Sequence, residues 1–346
     1  MTVVNEKDRL LGVLNKQQTD RPPVICPGGM MNAAIVDVMK SSGQTLPAGH
    51  SDAALMADLA YAVHNLTGFE NFGLPFCMTV EAEVLGSEID LGTLECEPKI
   101  CREVFAASAK VEYKDIPTML NSGRILVVCQ AVSLLATKYP DIPVIGSLTG
   151  PVSTAASIVD PIQFLKDLRK DPTNAHRVFD YVTELLIGFA YKLIEHGATV
   201  IEIGDPTATG EILGPKMFAE YAVTYINKLI TAVQQKEVPV IVHICGNLNS
   251  VKPLISTLEA NAVSTDAIVN LKLLKDEFPQ LTTMGNISTY LLELGPAEKV
   301  TIQTKNLMAH GINIIAPACG LSTSSPLANI QAMTHTVKTN FVKEGV

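Results

Sequence analysis

The sequence has few arginines and no strongly basic stretch. Of its 26 lysines and arginines only six are arginine, and the formal net charge is −9 with a pI near 5.3. Nucleic acids and anionic membrane surfaces attract a basic stripe on a protein partner, and this sequence has none. We therefore expect no nucleic acid and no membrane as partner, and no polyanionic ligand.

Segments that would direct or anchor the chain to a membrane are also missing. The N-terminal stretch MTVVNEKDRLLG is polar and charged, so it lacks the apolar core of a secretory signal. No run of about 18 apolar residues follows it. We expect a cytoplasmic protein.

Cysteine pairs with the spacing of a disulfide framework are absent. The seven cysteines are scattered, and an odd number in a cytoplasmic chain favours free thiols or metal ligands. The sequence has no tract of low complexity, and 47% of its residues are hydrophobic, which is enough for a large buried core. These features predict one large domain or two.

Short β-rich runs that end in Gly, Pro or polar residues alternate with amphipathic helical segments. We predict eight strands, over residues 23–29, 71–80, 143–151, 199–208, 239–247, 262–268, 281–288 and 312–320. Strands that alternate with helices pair in parallel, and eight such units close a (β/α)8 TIM barrel of the α/β class. A doubly wound open sheet is the rival fold, but no GxGxxG follows the first strand, and polar residues end many strands.

Two stretches are longer than a single helix requires. Residues of about 30–70 and 87–141 predict extra N-terminal helices and a loop or hairpin layer across the barrel mouth. The irregular, moderately charged segment 87–123 is a candidate lid. We assign residues 1–346 to a single barrel domain.

A histidine and a cysteine close the fifth predicted strand. His243 and Cys245 are two residues apart, so on a strand both point to the same side and can bind one ion. Gly246 lets the backbone turn away from them. Cys319, followed by Gly320 at the end of the last strand, can supply a second thiolate from across the barrel. One imidazole and two thiolates favour Zn²⁺, and three protein ligands leave a position for substrate, as in catalytic zinc sites.

Other polar residues at the strand ends join this candidate site. Asp266 is placed to fill the fourth metal position while substrate is absent. Asp205 follows the apolar run IEIG, where a carboxylate is costly unless it is hydrogen-bonded, so we predict a catalytic role for it. Glu81 and Glu83 fit either a solvated or ion-paired couple or a carboxylate that orients substrate. The candidate substrate-binding residues are Cys77, Glu83, Asn247 and Asn286.

The remaining histidines fall in predicted helices or loops. We predict that all six lie at the surface or have satisfied hydrogen bonds: His50, His64, His176, His196, His310 and His335. A cysteine at a strand end, taken alone, is more typical of a small core residue than of a ligand. The metal hypothesis therefore depends on the combination of the HxC pair with the second Cys-Gly.

These stretches carry a family resemblance. The sequence is similar to the methylcobamide:coenzyme M methyltransferases, which are members of the uroporphyrinogen decarboxylase superfamily. The likeness runs over nearly the whole chain. It is carried by LPFCMTVEAEVLG (74–86), GDP (204–206), HICGN (243–247), GNIS (285–288) and APACGLSTSSPLANIQAM (316–333).

The resemblance implies a (β/α)8 barrel with zinc on His243, Cys245 and Cys319. It also implies a carboxylate that ligates the zinc when substrate is absent; this residue is a glutamate in the family and falls on Asp266 here. The zinc would bind an acceptor thiol, expected to be coenzyme M, and lower its pKa, so that the thiolate attacks the methyl group on cobalt. The sequence has no DxHxxG of the kind found in corrinoid carriers, so we expect a partner corrinoid-binding protein to present the methylcobamide.

Three other functions stay open. In the first, a zinc-dependent enzyme with the same methylated corrinoid donor transfers the methyl group to another acceptor, such as tetrahydrofolate or homocysteine. A tetrapyrrole decarboxylase would use Asp205 or Glu83 and need no zinc, although decarboxylases of this superfamily have an Arg-rich stretch where this chain has PPVICPGGMMNA. A corrinoid-sensing or corrinoid-handling protein without catalysis would hold a structural zinc.

Overall fold

The computed structural model describes residues 4–339, so the predicted domain of residues 1–346 extends beyond the described residues at both ends. The strands are β1 (Phe72–Leu74), β2 (Glu88–Asp90), β3 (Lys99–Arg102), β4 (Val144–Thr149), β5 (Val200–Gly204), β6 (Val240–Ile244), β7 (Ala262–Thr265) and β8 (Thr283–Met284).

Helices surround these strands. The α-helices are α1 (Glu6–Leu14), α2 (Val36–Ser42), α3 (Ala53–Thr67), α4 (Val80–Leu85), α5 (Ile116–Leu120), α6 (Gly123–Lys138), α7 (Pro151–Ile158), α8 (Pro161–Lys170), α9 (Pro172–Glu195), α10 (Gly210–Met217), α11 (Thr224–Gln234), α12 (Lys252–Ile255), α13 (Leu271–Glu277), α14 (Thr289–Leu294), α15 (Ala297–Ala309) and α16 (Leu327–Thr339). Short 3₁₀ turns lie at Ala48–His50 and Ser108–Lys110, and a π-helical turn at Phe218–Val223 joins α10 to α11.

The central sheet is parallel and closes into a barrel. Its paired strands follow the order β1, β4, β5, β6, β7, β8. Two further segments complete the ring through isolated parallel bridges, since Ile314 pairs with Met284 of β8 and Ile315 pairs with Val24. The carbonyl of Val24 in turn accepts a hydrogen bond from the backbone N–H of Glu70, next to β1. The predicted (β/α)8 barrel is confirmed, with its first and last strands reduced to short bridged segments.

The middle strands are buried on both faces because helices cover them. Every residue of β4, β5 and β6 is buried, and VIGSLT, VIEIG and VIVHI are rich in β-branched residues, which suit a strand. Side chains alternate along each strand, so one face of this sheet carries Ser147, Glu202, Gly204 and His243, as the register of these strands shows. The barrel interior beneath its mouth is therefore polar.

The second predicted strand is shorter than expected. Residues 71–80 form a strand only over β1, because Pro75 has no backbone N–H with which to continue the ladder. The chain then enters α4 at Val80. Glu81 and Glu83 consequently lie on the helix that follows the strand, and the prediction that they are strand-end residues is wrong.

The insertion between α4 and α6 contains an antiparallel hairpin. Strands β2 and β3 pair with each other and not with the barrel. The tip of the hairpin is tied to the barrel at two points: Asn32 Nδ2 donates to Glu97 Oε1 at 2.9 Å, and Thr323 Oγ1 donates to the carbonyl of Glu95 at 2.7 Å. The predicted hairpin layer and the extra helices α2 and α3 are thus present.

Among residues 4–339, no helix combines the length and the apolar character that crossing a membrane requires.

Candidate metal centre

The end of β6 brings an imidazole and a thiol together. His243 is fully buried and Cys245 is partly exposed, and His243 Nε2 lies 3.1 Å from Cys245 Sγ. The predicted placement of both side chains on one side of the strand is confirmed by this distance. Directly after them, Gly246 adopts a left-handed φ of 75°, a conformation that other residues rarely take, and the chain turns away from the barrel.

The second thiol comes from the opposite end of the sequence. Cys319 follows the last barrel segment, and its Sγ lies 3.1 Å from Cys245 Sγ. A Cβ on Gly320 would lie only 2.6 Å from the carbonyl oxygen of Met30, so a glycine is needed for the close chain approach beside Cys319. In the described part of the chain, the ligand atoms of His243, Cys245 and Cys319 all lie within 4.8 Å of one another.

A hydrogen bond orients the imidazole. His243 pairs in register with Ser264 of β7, and His243 Nδ1 lies 2.9 Å from Ser264 Oγ. When Nδ1–H donates to this hydroxyl, the lone pair of Nε2 is left facing the two sulfurs. Metal-binding histidines are usually fixed in this way by a polar partner on the other ring nitrogen.

The thiols of Cys245 and Cys319 have pKa values shifted in opposite directions. A hydrogen bond from Cys245 and the neighbouring imidazole of His243 lower the pKa of Cys319 despite its burial. The pKa of Cys245 is raised in turn, first because its proton is held by Cys319 and then because it is buried. The pair therefore readily offers one thiolate at neutral pH, and thiolates are the form of cysteine that binds metals.

Asp266 lies near this trio but outside it. Its Oδ1 accepts a hydrogen bond from the backbone N–H of Ile268 at 3.0 Å, while its charge contributes to the raised pKa of Cys245. Asn286 supports the same loop, since its Nδ2 donates to the carbonyls of Asp266 and Val269. Asn286 is thus placed as a brace for the loop that carries Asp266.

Asp205 is fully buried and anchors the start of α7. Its carboxylate accepts hydrogen bonds from the backbone N–H groups of Val152 and Ser153 at 2.9 and 2.8 Å, and from Ser153 Oγ at 2.6 Å. Burial raises the pKa of Asp205 to about 6 against the effect of these hydrogen bonds. The predicted hydrogen bonding of this costly carboxylate is present.

Cys77 and Glu83 meet at a residue that the sequence analysis did not single out. Arg124 of α6 is buried, and its guanidinium donates to Glu83 Oε2 at 2.5 Å, to Cys77 Sγ at 3.2 Å and to Thr79 Oγ1 at 2.9 Å. Asn247, by contrast, uses its Oδ1 to accept from the backbone N–H of Asn249 at 2.9 Å. In the sequence, the arginine at the start of an otherwise apolar helix was the feature that could have indicated this buried cluster.

Two buried glutamates lie inside the barrel. Glu202 accepts a hydrogen bond from Ser147 Oγ, and burial raises its pKa to about 7. Its other carboxylate oxygen has no hydrogen-bond partner in the part of the chain that the structure describes. Glu81 accepts from the backbone N–H and the hydroxyl of Thr149 at 2.8 and 3.0 Å. A carboxylate in the middle of the apolar run VIEIG was a signal for Glu202.

The prediction for the histidines is wrong for one of them. His50 is 1% exposed, and neither of its ring nitrogens has a hydrogen-bond partner among the described residues 4–339. Burial and then the charge of Arg124 lower its pKa to about 4, so the ring is neutral at physiological pH. His64, His176 and His196 have polar partners, as predicted.

A cavity of about 410 Å³ opens beside the trio at the barrel mouth. Cys319 and Cys77 both contribute to its wall. The tip of the β2–β3 hairpin supplies Glu97 and Pro98, and α14 supplies Tyr290 and Glu293. A small ligand in this cavity would therefore contact one of the candidate metal ligands.

Comparison with known proteins adds to this geometry. Residues 5–340 match the family described as uroporphyrinogen decarboxylase (URO-D). The methylcobamide:CoM methyltransferase MtbA of Methanosarcina acetivorans is 32% identical over 98% of this chain and 99% of its own length, and MtaA of Methanosarcina barkeri is 31% identical over 94% and 96%. The solved structure of a methyltransferase from Methanosarcina mazei superposes with a TM-score of 0.90 at 30% identity, covering 97% of this chain and 99% of that one.

Proposed function

We propose that this chain, which belongs to the uroporphyrinogen decarboxylase (URO-D) family, is a zinc-dependent methyltransferase. It transfers a methyl group from a methylated corrinoid protein to a thiol acceptor. The names of its relatives MtbA and MtaA, methylcobamide:CoM methyltransferases, support the donor and the class of reaction. They also make coenzyme M the first acceptor to assay. The observation that carries the proposal is the convergence of His243, Cys245 and Cys319 beside the cavity at the barrel mouth.

The chemistry of the donor atoms fits zinc. Two sulfurs and one imidazole nitrogen form a common zinc-binding set, and three protein ligands leave one position for substrate. The 4.8 Å limit that encloses the three ligand atoms lets one ion reach all of them. The contact of His243 with Ser264 supports the tautomer in which Nε2 is the ligand.

A zinc ion in this position would bind the acceptor thiol and lower its pKa, so that a thiolate is present at neutral pH. The sulfur of the thiolate then forms a bond to the methyl carbon with its own electron pair. The carbon–cobalt bond breaks, and its two electrons remain on cobalt as Co(I). The products are a methyl thioether and the demethylated corrinoid, while the thiol proton goes to solvent.

Nearby residues have proposed supporting roles. Asp266 would ligate the metal while no thiol is bound, after its carboxylate leaves the N–H of Ile268. Asp205 keeps its proposed catalytic role, and its carboxylate also holds the first turn of α7 at the barrel mouth. The proposed substrate contacts are Cys77, Glu83, Asn247 and Asn286, of which Cys77 lines the cavity.

Metal analysis combined with turnover tests this proposal. Purified protein should contain about one zinc per chain. Cys245→Ala and Cys319→Ala should lose the zinc and at least about a hundredfold of the thiol-dependent demethylation of methylcobalamin, followed through the cobalt spectrum. Cys101→Ala, at an exposed free cysteine in β3, is the matched control and should retain both. Zinc-free wild-type protein, or undiminished turnover in the Cys245 and Cys319 variants, would refute the mechanism.

A further inference from the structure

The cavity at the barrel mouth is too small for the methyl donor of the proposed reaction. Its volume of about 410 Å³ suits a small thiol. A corrinoid, with its macrocycle and long side chains, is far larger than the drug-sized ligands that pockets of this volume enclose. The methyl group on cobalt must still come within bond-forming distance of a thiol held beside Cys319, so the donor has to approach from outside the mouth. The protein that carries the corrinoid must then rest on the residues that surround the cavity.

Helix α14 lies beside this opening and turns an apolar face to solvent. Tyr290 and Leu294 are four residues apart, so they lie on the same side of the helix. Each is 78% exposed, which is more than any other large apolar residue among residues 4–339. Tyr290 lines the same cavity as Cys319, so this face is continuous with the candidate metal centre. One exposed apolar residue is ordinary, but a pair on one face at the edge of a functional cavity is typical of an interaction site.

The other side of α14 is anchored to the rest of the molecule. Leu292 is fully buried, and Asn329 Nδ2 of α16 donates to the carbonyls of Leu292 and Gly295, both at 2.9 Å. Glu293 Oε1 also accepts a hydrogen bond from Ser322 Oγ at 2.8 Å, which ties the helix to the loop after the last barrel segment. The apolar face of α14 is therefore fixed before any partner binds, and a fixed surface loses little conformational entropy on association.

A third exposed apolar residue projects from the neighbouring loop of the barrel mouth. Ile268 follows β7 and is 65% exposed. Strands β7 and β8 are adjacent in the sheet, so the loops that follow them are adjacent at the mouth. Asn286, which precedes α14, donates to the carbonyl of Val269 at 2.8 Å and fixes this loop. We refer to Tyr290, Leu294 and Ile268 together as the rim patch.

We propose that the rim patch binds the protein that carries the methylated corrinoid, so that the methyl group lies over the cavity beside Cys319. This inference rests on the proposed function and assigns a docking surface to its partner. Exposed aromatic and aliphatic anchors of this kind contribute a large share of the binding energy of protein interfaces. A second copy of this chain is the alternative occupant, but a copy on the rim patch would obstruct the approach of the corrinoid to the mouth.

Binding to methylated corrinoid proteins tests the rim patch. The probes are the corrinoid-binding proteins of the same organism that contain DxHxxG, each purified, reduced to Co(I) and methylated with methyl iodide. Calorimetric titration into the purified, zinc-containing protein should show a Kd about tenfold higher for Leu294→Ser and for Tyr290→Ala than for wild type. Ile302→Ser is the matched control, because Ile302 is a 51% exposed residue of α15 outside the cavity wall, and it should keep the wild-type Kd.

Free methylcobalamin separates docking from catalysis, because it reaches the mouth without a carrier protein. Leu294 does not line the cavity, so Leu294→Ser should transfer the methyl group of free methylcobalamin to coenzyme M at the wild-type rate. With the methylated corrinoid protein as donor, kcat/KM should fall about tenfold, through KM rather than kcat. Equal losses with both donors would contradict the inference, since they would indicate damage to the metal centre.

Other results would overturn the inference in different ways. If no corrinoid protein binds, or if the Kd is unchanged in both the Leu294 and the Tyr290 variant, the rim patch is not the docking surface. A wild-type dimer that Leu294→Ser converts into monomers in analytical ultracentrifugation would assign the patch to a second copy. Carrier binding that depends on the patch, without methyl transfer from either donor to any thiol, would refute the proposed function and leave the docking surface standing.

Discussion

At the scale of single residues, the approach of His243 and Cys245 follows from strand periodicity, whereas the contacts of neighbouring residues do not. His243 and Cys245 were predictable because side chains two apart on a strand share a side. Arg124 was not, because its partners Cys77, Thr79 and Glu83 lie on a separate element more than 40 positions earlier in the chain. A local pattern identifies ligands within one strand, whereas a buried cluster between elements requires the fold.

Glu202 makes stability depend on pH in a testable way. Its pKa is about 7 in the folded protein because it is buried, against an ordinary value of 4.5. Between these two values the folded state binds more protons than the unfolded state, so stability falls as pH rises. We expect metal-free wild-type protein to lose about 3 kcal/mol of unfolding free energy between pH 4.5 and 7 that Glu202→Gln does not lose.

Urea unfolding at pH 5 and pH 8 measures this difference. Removal of the metal by a chelator is needed, because a nearby cation would lower the pKa of the carboxyl. Glu88→Gln, an exposed glutamate on β2, is the control and should follow the wild-type dependence on pH. Identical pH slopes in wild type and Glu202→Gln would show that Glu202 titrates at an ordinary pKa.

At the scale of elements, the alternation of strands and helices was predicted correctly, while several strand boundaries were not. The predicted strand 281–288 forms a strand only over β8 (Thr283–Met284), and the predicted strands 23–29 and 312–320 pair only through isolated bridges. The segment 71–80 has strand-like composition throughout, yet the pairing stops at Leu74 because the next residue is a proline. The hairpin β2–β3 was expected only as a layer or lid. Its contacts with Asn32 and Thr323 depend on tertiary structure, since these partners lie far from it in sequence.

Loss of the Asn32 contact should loosen the hairpin. In Asn32→Ala, Glu97 loses a hydrogen bond that is worth about 1 kcal/mol or more, so backbone amides of residues 88–102 should exchange with deuterium about fivefold faster. Mass spectrometry of exchanged peptides measures this change. Asn249→Ala, at an exposed asparagine in the loop after β6, should leave exchange there as in wild type. Unchanged exchange in Asn32→Ala would mean that other contacts hold the hairpin.

At the scale of the whole molecule, an ionic cluster joins the two ends of the barrel sheet. Glu70 accepts hydrogen bonds from Arg9 Nη1 at 3.0 Å, from both terminal nitrogens of Arg21, and from the backbone N–H of Val24. It thereby connects α1, the first barrel segment and the approach to β1. Since Val24 also pairs with Ile315, this cluster lies where the barrel closes.

Removal of this charge should destabilise the barrel as a whole. Glu70→Gln leaves the largely buried Arg21 without this carboxylate and Arg9 with Asp20 as its partner, so we expect a loss of about 3 kcal/mol or more of unfolding free energy in urea. Asp20→Asn provides the comparison, because Asp20 also pairs with Arg9 but its side chain is 44% exposed, and it should cost about 1 kcal/mol or less. Equal losses in the two variants would contradict a special role for the buried carboxylate.

The sequence by itself predicted the parallel α/β barrel and, through its motifs, the family, and the comparisons confirm both. It also predicted that His243, Cys245 and Cys319 lie together, while their role as metal ligands stays a proposal. These properties are local or periodic: strand composition repeats along the chain, and ligands occupy strand ends that a barrel must bring to one face. The assignment of residues 1–346 to one domain stays a prediction. Only the tertiary structure decided the charge of the cavity, because Glu97 and Glu293 reach it from a hairpin and a helix nearly 200 positions apart in sequence. Electrostatics at such a site depends on distance in space, which no pattern along the chain encodes.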